Sequence, residues 1–227
     1  MPHFHFLPLA FCLLGLTPIV ILILVGLFPE RASAQTETQH IVNTPWQLTS
    51  KLRATFHVRA RSRPTTEGFY QGRVGAWADY KIHKRVSVTG GYLFTKLERP
   101  VDWEGWNRLY GGVEHEIARW KGTWSARHLA EWFDPSGADN FYRIRHRGGW
   151  TTPTRIAPFA NIEYLWDEHG WRSTRYLAGT RFRLNDRVSW DVHYFHEPRR
   201  EDTGRWPRNM WGTTLEVKLG SLAPAGP

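Results

Sequence analysis

From position 46 the chain alternates. Trp46, Leu48, Ser50, Leu52, Ala54, Phe56, Val58 and Ala60 are interleaved with Gln47, Thr49, Lys51, Arg53, Thr55, His57, Arg59 and Arg61. A period of two sends successive side chains to opposite faces of a strand, whereas helical spacing would scatter these basic residues around the whole circumference. The run also outlasts the roughly 5–6 residues of a typical soluble strand. The pattern returns over 69–81, 86–95, 107–117, 123–133, 141–151, 157–166, 171–184, 188–196 and 209–219. Most of these spans reach the ~9–11 residues that a tilted strand needs to cross a bilayer. The expectation is an all-β chain: a closed up-and-down antiparallel transmembrane β-barrel of about ten strands.

The connections support a membrane setting. Short turns fall at 82–85, 118–122, 152–156 and 185–187, and longer loops at 62–68, 96–106, 134–140, 167–170 and 197–208. Short periplasmic turns, long outer loops and both termini on the periplasmic side are the organisation of an even-stranded bacterial barrel. Aromatics bracket the apolar face of three strands: Tyr70 with Tyr80, Trp124 with Trp132, and Tyr142 with Trp150. Their separation of about 20–25 Å along the membrane normal predicts paired aromatic girdles.

Composition agrees. Mean hydropathy is −0.50 although 41% of residues are hydrophobic and thirteen are Trp, because each half of the alternation cancels the other. The net charge of +9 favours acidic partners, which on charge alone include anionic lipid, small anions and nucleic acid. Nucleic acid is not expected, since the basic residues are spread through strands rather than clustered. Residues 6–28 are almost continuously apolar and lead to Ala32-Ser33-Ala34, so a signal peptide cleaved after Ala34 is expected. The alternative is an uncleaved anchor, because the run matches the ~20 residues of a spanning helix. The organisation predicted is a signal peptide at 1–34, a periplasmic segment at 35–45, a barrel at 46–219 and a tail at 220–227. Cys12, the one cysteine, lies in the signal, so the mature chain has no thiol for a disulfide or metal. No cofactor or metal is expected. His128 and His146 oppose each other on the apolar face but lack a third ligand.

With the apolar face toward lipid, the charged face lines the lumen. Symmetric hairpins place Lys51 opposite Asp79, Glu114 opposite Arg127, Glu131 opposite Arg143, and Arg143 opposite Glu163. They also place Glu163 opposite Arg175 and Arg181 opposite Asp191. Opposite charges on neighbouring strands stabilise each other, and an unpaired charge in a low-dielectric lumen is costly. The stretches Arg127-x3-Glu131, Arg143-Ile-Arg145-His-Arg147, Glu163 and Arg175-x3-Gly179 are similar in order and spacing to an uncharacterised bacterial barrel family, domain of unknown function 2490. The resemblance covers nearly all of 46–219 and implies an outer-membrane β-barrel without an assigned activity. One departure is the end of the last strand, Leu219 before a Pro/Gly/Ala tail, where such barrels end on an aromatic.

Several functions fit these residues. Arg53, Arg59, Arg73, Arg145, Arg147 and Arg183 remain on the lumen face without obvious partners. Arginine rings select anions, so a narrow anion-preferring channel or a barrel binding an anionic ligand is one reading. Side chains fill the interior of barrels this small, which favours a mostly plugged lumen and a structural or interaction role. Expected partners are then outer-membrane lipid, lipopolysaccharide and the barrel-assembly machinery. Loop residues Trp103, Glu104, Gly105 and Trp106, and the basic Arg199, Arg200, Arg205, Trp206 and Arg208, offer contact surfaces. An outer-membrane lipid hydrolase lacks a constellation: Ser189 and His193 share a face with Asp191 but stand ~13 Å apart, and Ser125 near Glu116 lacks a histidine. No enzymatic activity is expected. A soluble periplasmic barrel of the lipocalin type, apolar face inward, is the architectural alternative.

Overall fold

The computed structural model describes residues 36–63, 68–98, 102–198 and 208–221, and all that follows concerns these. The expected signal peptide and its cleavage site lie outside them, as do Arg199, Arg200, Arg205 and Trp206. The strands are β1 (Glu37–Gln47), β2 (Leu52–Ser62), β3 (Phe69–His83), β4 (Val86–Glu98), β5 (Trp103–Arg119) and β6 (Thr123–Pro135). They continue as β7 (Phe141–Thr151), β8 (Ile156–Asp167), β9 (Gly170–Arg183), β10 (Val188–Glu197), β11 (Arg208–Val217) and the short β12 (Leu219–Ser221). From β1 to β11 each strand pairs with the next, antiparallel throughout. The sheet closes on itself through a parallel pair, β1 with β11, from Glu37 opposite Met210 to Asn43 opposite Glu216. The fold is therefore a closed all-β barrel of eleven long strands, in which β1 and β11 pair rather than standing as free edges.

The barrel has eleven long strands where about ten were expected. Residues 46–61, read above as one strand, hold the end of β1 and most of β2. The Thr49 hydroxyl accepts from the Lys51 and Leu52 N–H groups at 3.2 and 3.0 Å, and the Leu48 N–H donates to the Leu52 carbonyl. Thr49, Ser50 and Lys51 keep the phase of the alternation through this turn, so the pattern does not mark it. Residues 37–45 are thus wall rather than a periplasmic extension, and the start of the expected tail pairs through β12 with the end of β1. Pro45, which has no N–H to donate, sits between the last β11 pairing at Asn43 and the first β12 pairing at Trp46. With an odd number of strands, β1 starts at the end carrying the longer loops while β11 finishes at the short-turn end. The expectation that both barrel termini share one side is overturned for that reason.

The two faces are sorted by polarity. Phe56, Val58, Val74, Leu109 and Ile117 point outward and are exposed, whereas Arg59, Glu131, Glu163 and Asp191 point inward and are buried. A lipocalin-type barrel has the opposite sorting. At the long-loop end the inward positions turn apolar, with Tyr70, Phe133, Leu165, Phe195 and Met210 all buried. Phe133 stacks on Phe141 at 4.5 Å, with Trp106 edge-on at 5.7 Å from Phe141. Trp103 and Trp106, expected at a loop tip, are strand residues of β5.

Two of the three aromatic brackets hold. Trp124, Trp132 and Tyr142 are outward and exposed, and Trp150 shares their face. Tyr70 does not: a bulge at Arg61/Ser62 breaks the β2–β3 ladder, and Tyr70 turns inward to donate its hydroxyl to Glu37 at 2.6 Å. Inward glycines mark where strands crowd. A Cβ on Gly91 would lie 2.5 Å from the Trp77 Cβ, and one on Gly112 would overlap the His128 carbonyl oxygen.

Candidate functional site in the barrel interior

Glu131, on β6, is the centre of the interior. Its carboxylate accepts from Arg143 Nε at 2.6 Å, Arg145 Nη1 at 2.9 Å and Arg108 Nη1 at 3.1 Å. Arg145 passes on to Glu163, whose second oxygen takes Arg175 Nη1 at 3.0 Å. Arg175 Nε then reaches Glu197 at 3.0 Å, and the Ser173 hydroxyl donates to the same carboxylate. The chain Arg108–Glu131–Arg145–Glu163–Arg175–Glu197 thus crosses strands β5 to β10 without a gap. Each carboxylate in it receives at least two charged or polar donors, which satisfies buried charges that would otherwise be costly. Arg143 and Arg175 also lie over the Phe133 and Phe195 rings at 4.7 and 5.8 Å, tying the network to the apolar layer above.

Four of the six expected pairs are present. Glu131 meets Arg143, Glu163 meets Arg175, and Asp191 is held in a fork by Arg181 Nε and Nη2 at 2.8 Å each. Arg127 lies directly opposite Glu114, at a looser 3.8 Å. Lys51 does not pair with Asp79: it lies in the β1–β2 turn, and the bulge beside Tyr70 shifts the register so that Asp79 faces Arg53. Arg53 Nη2 bonds Asp79 at 2.9 Å. Nor does Arg143 face Glu163. The β7–β8 connection is wider than a symmetric turn, closing with Thr152 N–H on the Pro158 carbonyl, so Arg143 faces Asp167 and Arg147 faces Glu163. Arg145 is the bridge instead.

The six arginines expected to be free divide accordingly. Arg53 and Arg145 are in ion pairs, and Arg147 lies 3.9 Å from Glu114. Arg183 is exposed at the short-turn end and donates to the Pro153 carbonyl. Among the described residues Arg59 and Arg73 bond neutral oxygens, those of Gln71 and Thr95. Arg108 and Glu197 were missed, although each stands an even number of residues from an assigned lumen residue on its own strand. Glu37 was out of reach because its strand was not recognised. It receives Tyr70 and Arg208 Nε at 2.6 and 3.1 Å and so clamps the β1–β11 seam.

Ser189, Asp191 and His193 lie on the inward face of β10, as expected, with both Asp191 oxygens occupied by Arg181. His128 and His146 are opposite each other on the outward face, Nδ1 to Nδ1 at 2.7 Å, and His115 stacks on His128 at 5.7 Å.

The fold and this interior define a class: a closed barrel, apolar outside and ionic within. The chain belongs to the family of proteins of unknown function DUF2490, whose model matches residues 40–208. No curated protein matches it. Among solved structures, an anion-selective porin from Comamonas acidovorans is similar at 9% identity and a TM-score of 0.35. That similarity covers 73% of this chain, which spans 56% of the porin.

Proposed function

We propose that the protein is a bacterial outer-membrane β-barrel with a structural or interaction role, its lumen plugged by the ionic network rather than open. The observation that carries this is the inverted sorting of side chains: exposed Val, Leu, Phe and Trp outside, and buried Arg–Glu chains inside. Water-facing barrels gain nothing from an apolar exterior of this extent, while a bilayer demands it. The buried Tyr70, Phe133, Phe195 and Met210 above the network support a closed lumen. Non-catalytic function is supported by Asp191, whose two oxygens both accept from the Arg181 fork. The partners proposed are lipid, lipopolysaccharide and the assembly machinery of the outer membrane.

Cell fractionation and planar-bilayer recording test the two halves separately. The protein is expected in the outer-membrane fraction, released only by detergent, and recovery in the soluble periplasm would sink the membrane reading. Reconstituted protein is expected to pass no current above the bare bilayer; a steady anion conductance would replace the plug by a channel.

A further inference from the structure

Charge in the interior is compensated unevenly. The wall from β5 to β10 carries the Arg–Glu chain, but no Asp or Glu occupies an inward position on β1 to β4 between Glu37 at one end and Asp79 at the other. Within that stretch stand three guanidinium groups on two adjacent strands. Arg59 lies directly opposite Arg73 on β3 and opposite Ile41 on β1. Like charges placed opposite each other repel, and an aliphatic neighbour gives no relief. Arg59 is 8% exposed, spends one N–H on Gln71 at 2.6 Å, and its Nε is buried without a partner among the described residues. Arg61, 6% exposed, donates to Gln39 at 2.9 Å, and Arg73 donates to Thr95 at 2.8 Å.

Neutral oxygens satisfy some of these donors but carry no charge, and Arg59, whose strongest charged neighbours are Arg61, Arg73, Arg108 and Arg175, is left as a buried cation without compensation, which is unfavourable. A guanidinium presents a planar fork of donors that matches the oxygens of phosphate, sulfate or carboxylate. We propose that Arg59, Arg61 and Arg73, with Gln71 and Thr95, form an interior binding site for a small oxyanion of the inorganic phosphate class. The bound anion takes the orphaned Arg59 Nε, separates Arg59 from Arg73, and does for the β2–β3 wall what Glu131 and Glu163 do for β6–β8. The inference needs these side chains to point inward; it does not need the barrel to sit in a membrane.

The test uses the full mature barrel in a neutral detergent, so that no lipid phosphate is present. Calorimetric titration with inorganic phosphate at constant ionic strength should show saturable binding, and chloride should show none. Heat unfolding should shift upward by roughly 5–10 °C once phosphate reaches about 100 times its Kd. Phosphate also stabilises proteins generally by exclusion from their surfaces, so the variants decide its origin. Arg59→Gln and Arg73→Gln should each weaken binding at least tenfold and lose most of the shift, while Arg183→Gln at the barrel mouth should keep both. Absence of saturable binding to the unaltered protein overturns the site whether or not the variants fold. An equal shift in all four proteins also overturns it, as a general salt effect. Failure here leaves fractionation and conductance results untouched.

Discussion

At the scale of the residue, position in the dielectric decides what a charge is worth. The Glu131 side chain is 1% exposed and holds three arginines that are themselves mostly covered. Removing its charge leaves Arg108 and Arg143 without a carboxylate in a buried setting and Arg145 with Glu163 alone. Glu131→Gln should therefore cost about 3–5 kcal/mol of stability. Asp191 makes a fork with better geometry, yet its partner Arg181 is 38% exposed and resolvates when released. Asp191→Asn should cost about 1 kcal/mol or less. Urea unfolding of both variants in detergent checks the ranking, and the reverse order would show that the interior is wetter than the geometry implies.

At the scale of the element, inward glycines let neighbouring strands approach closely. Gly111 and Gly112 are adjacent on β5 and differ only in the face they present. A Cβ on Gly112 would overlap the His128 carbonyl oxygen, a backbone atom that moves only with its strand. A Cβ on Gly111 would meet nothing closer than the Thr89 carbonyl at 3.7 Å, an ordinary contact. Gly112→Ala should lose about 1–3 kcal/mol or block folding, while Gly111→Ala should stay within about 1 kcal/mol, on the stabilising side. Heat-modifiable migration on gels reports folding for each. Two bulky or two neutral outcomes would mean that the faces of β5 are misassigned.

At the scale of the whole molecule, closure rests on the parallel β1–β11 seam. Thr38 and Trp211 are Cα partners across it. A Thr38→Cys/Trp211→Cys double variant, with Cys12 replaced by Ser, should form a disulfide on mild oxidation. Moving one cysteine two places, to Thr213, should abolish crosslinking, because neighbouring strands bring only in-register Cα atoms within disulfide reach. Efficient bridging in the shifted variant, or none in either, would refute the eleven-strand closure in favour of an even-stranded one. The clamp formed by Glu37, Tyr70 and Arg208 belongs to the same seam, so the crosslink should raise the unfolding temperature as well.

Much of the architecture was legible in the order of residues. A period of two is a local property of the strand, and a barrel exterior and interior are its two parities. Spans such as 141–151 and 188–196, and the inward set from Glu114 to Asp191, could therefore be read without a structure. Pairings across tight connections followed as well: Arg181 meets Asp191 because the turn between them is short. What failed were quantities that no single strand contains. The bulge beside Tyr70 and the wide turn after Thr151 each slide one strand against the next, and so exchanged Lys51 for Arg53 and Arg143 for Arg145. The turn at Thr49 kept the alternation in phase and hid a whole strand. Alternation thus determined by itself that the chain forms a barrel with charge inside. The number of strands, the parallel seam and the choice of which arginines find carboxylates were decided only by tertiary register, because a charge is paired by what lies beside it in space.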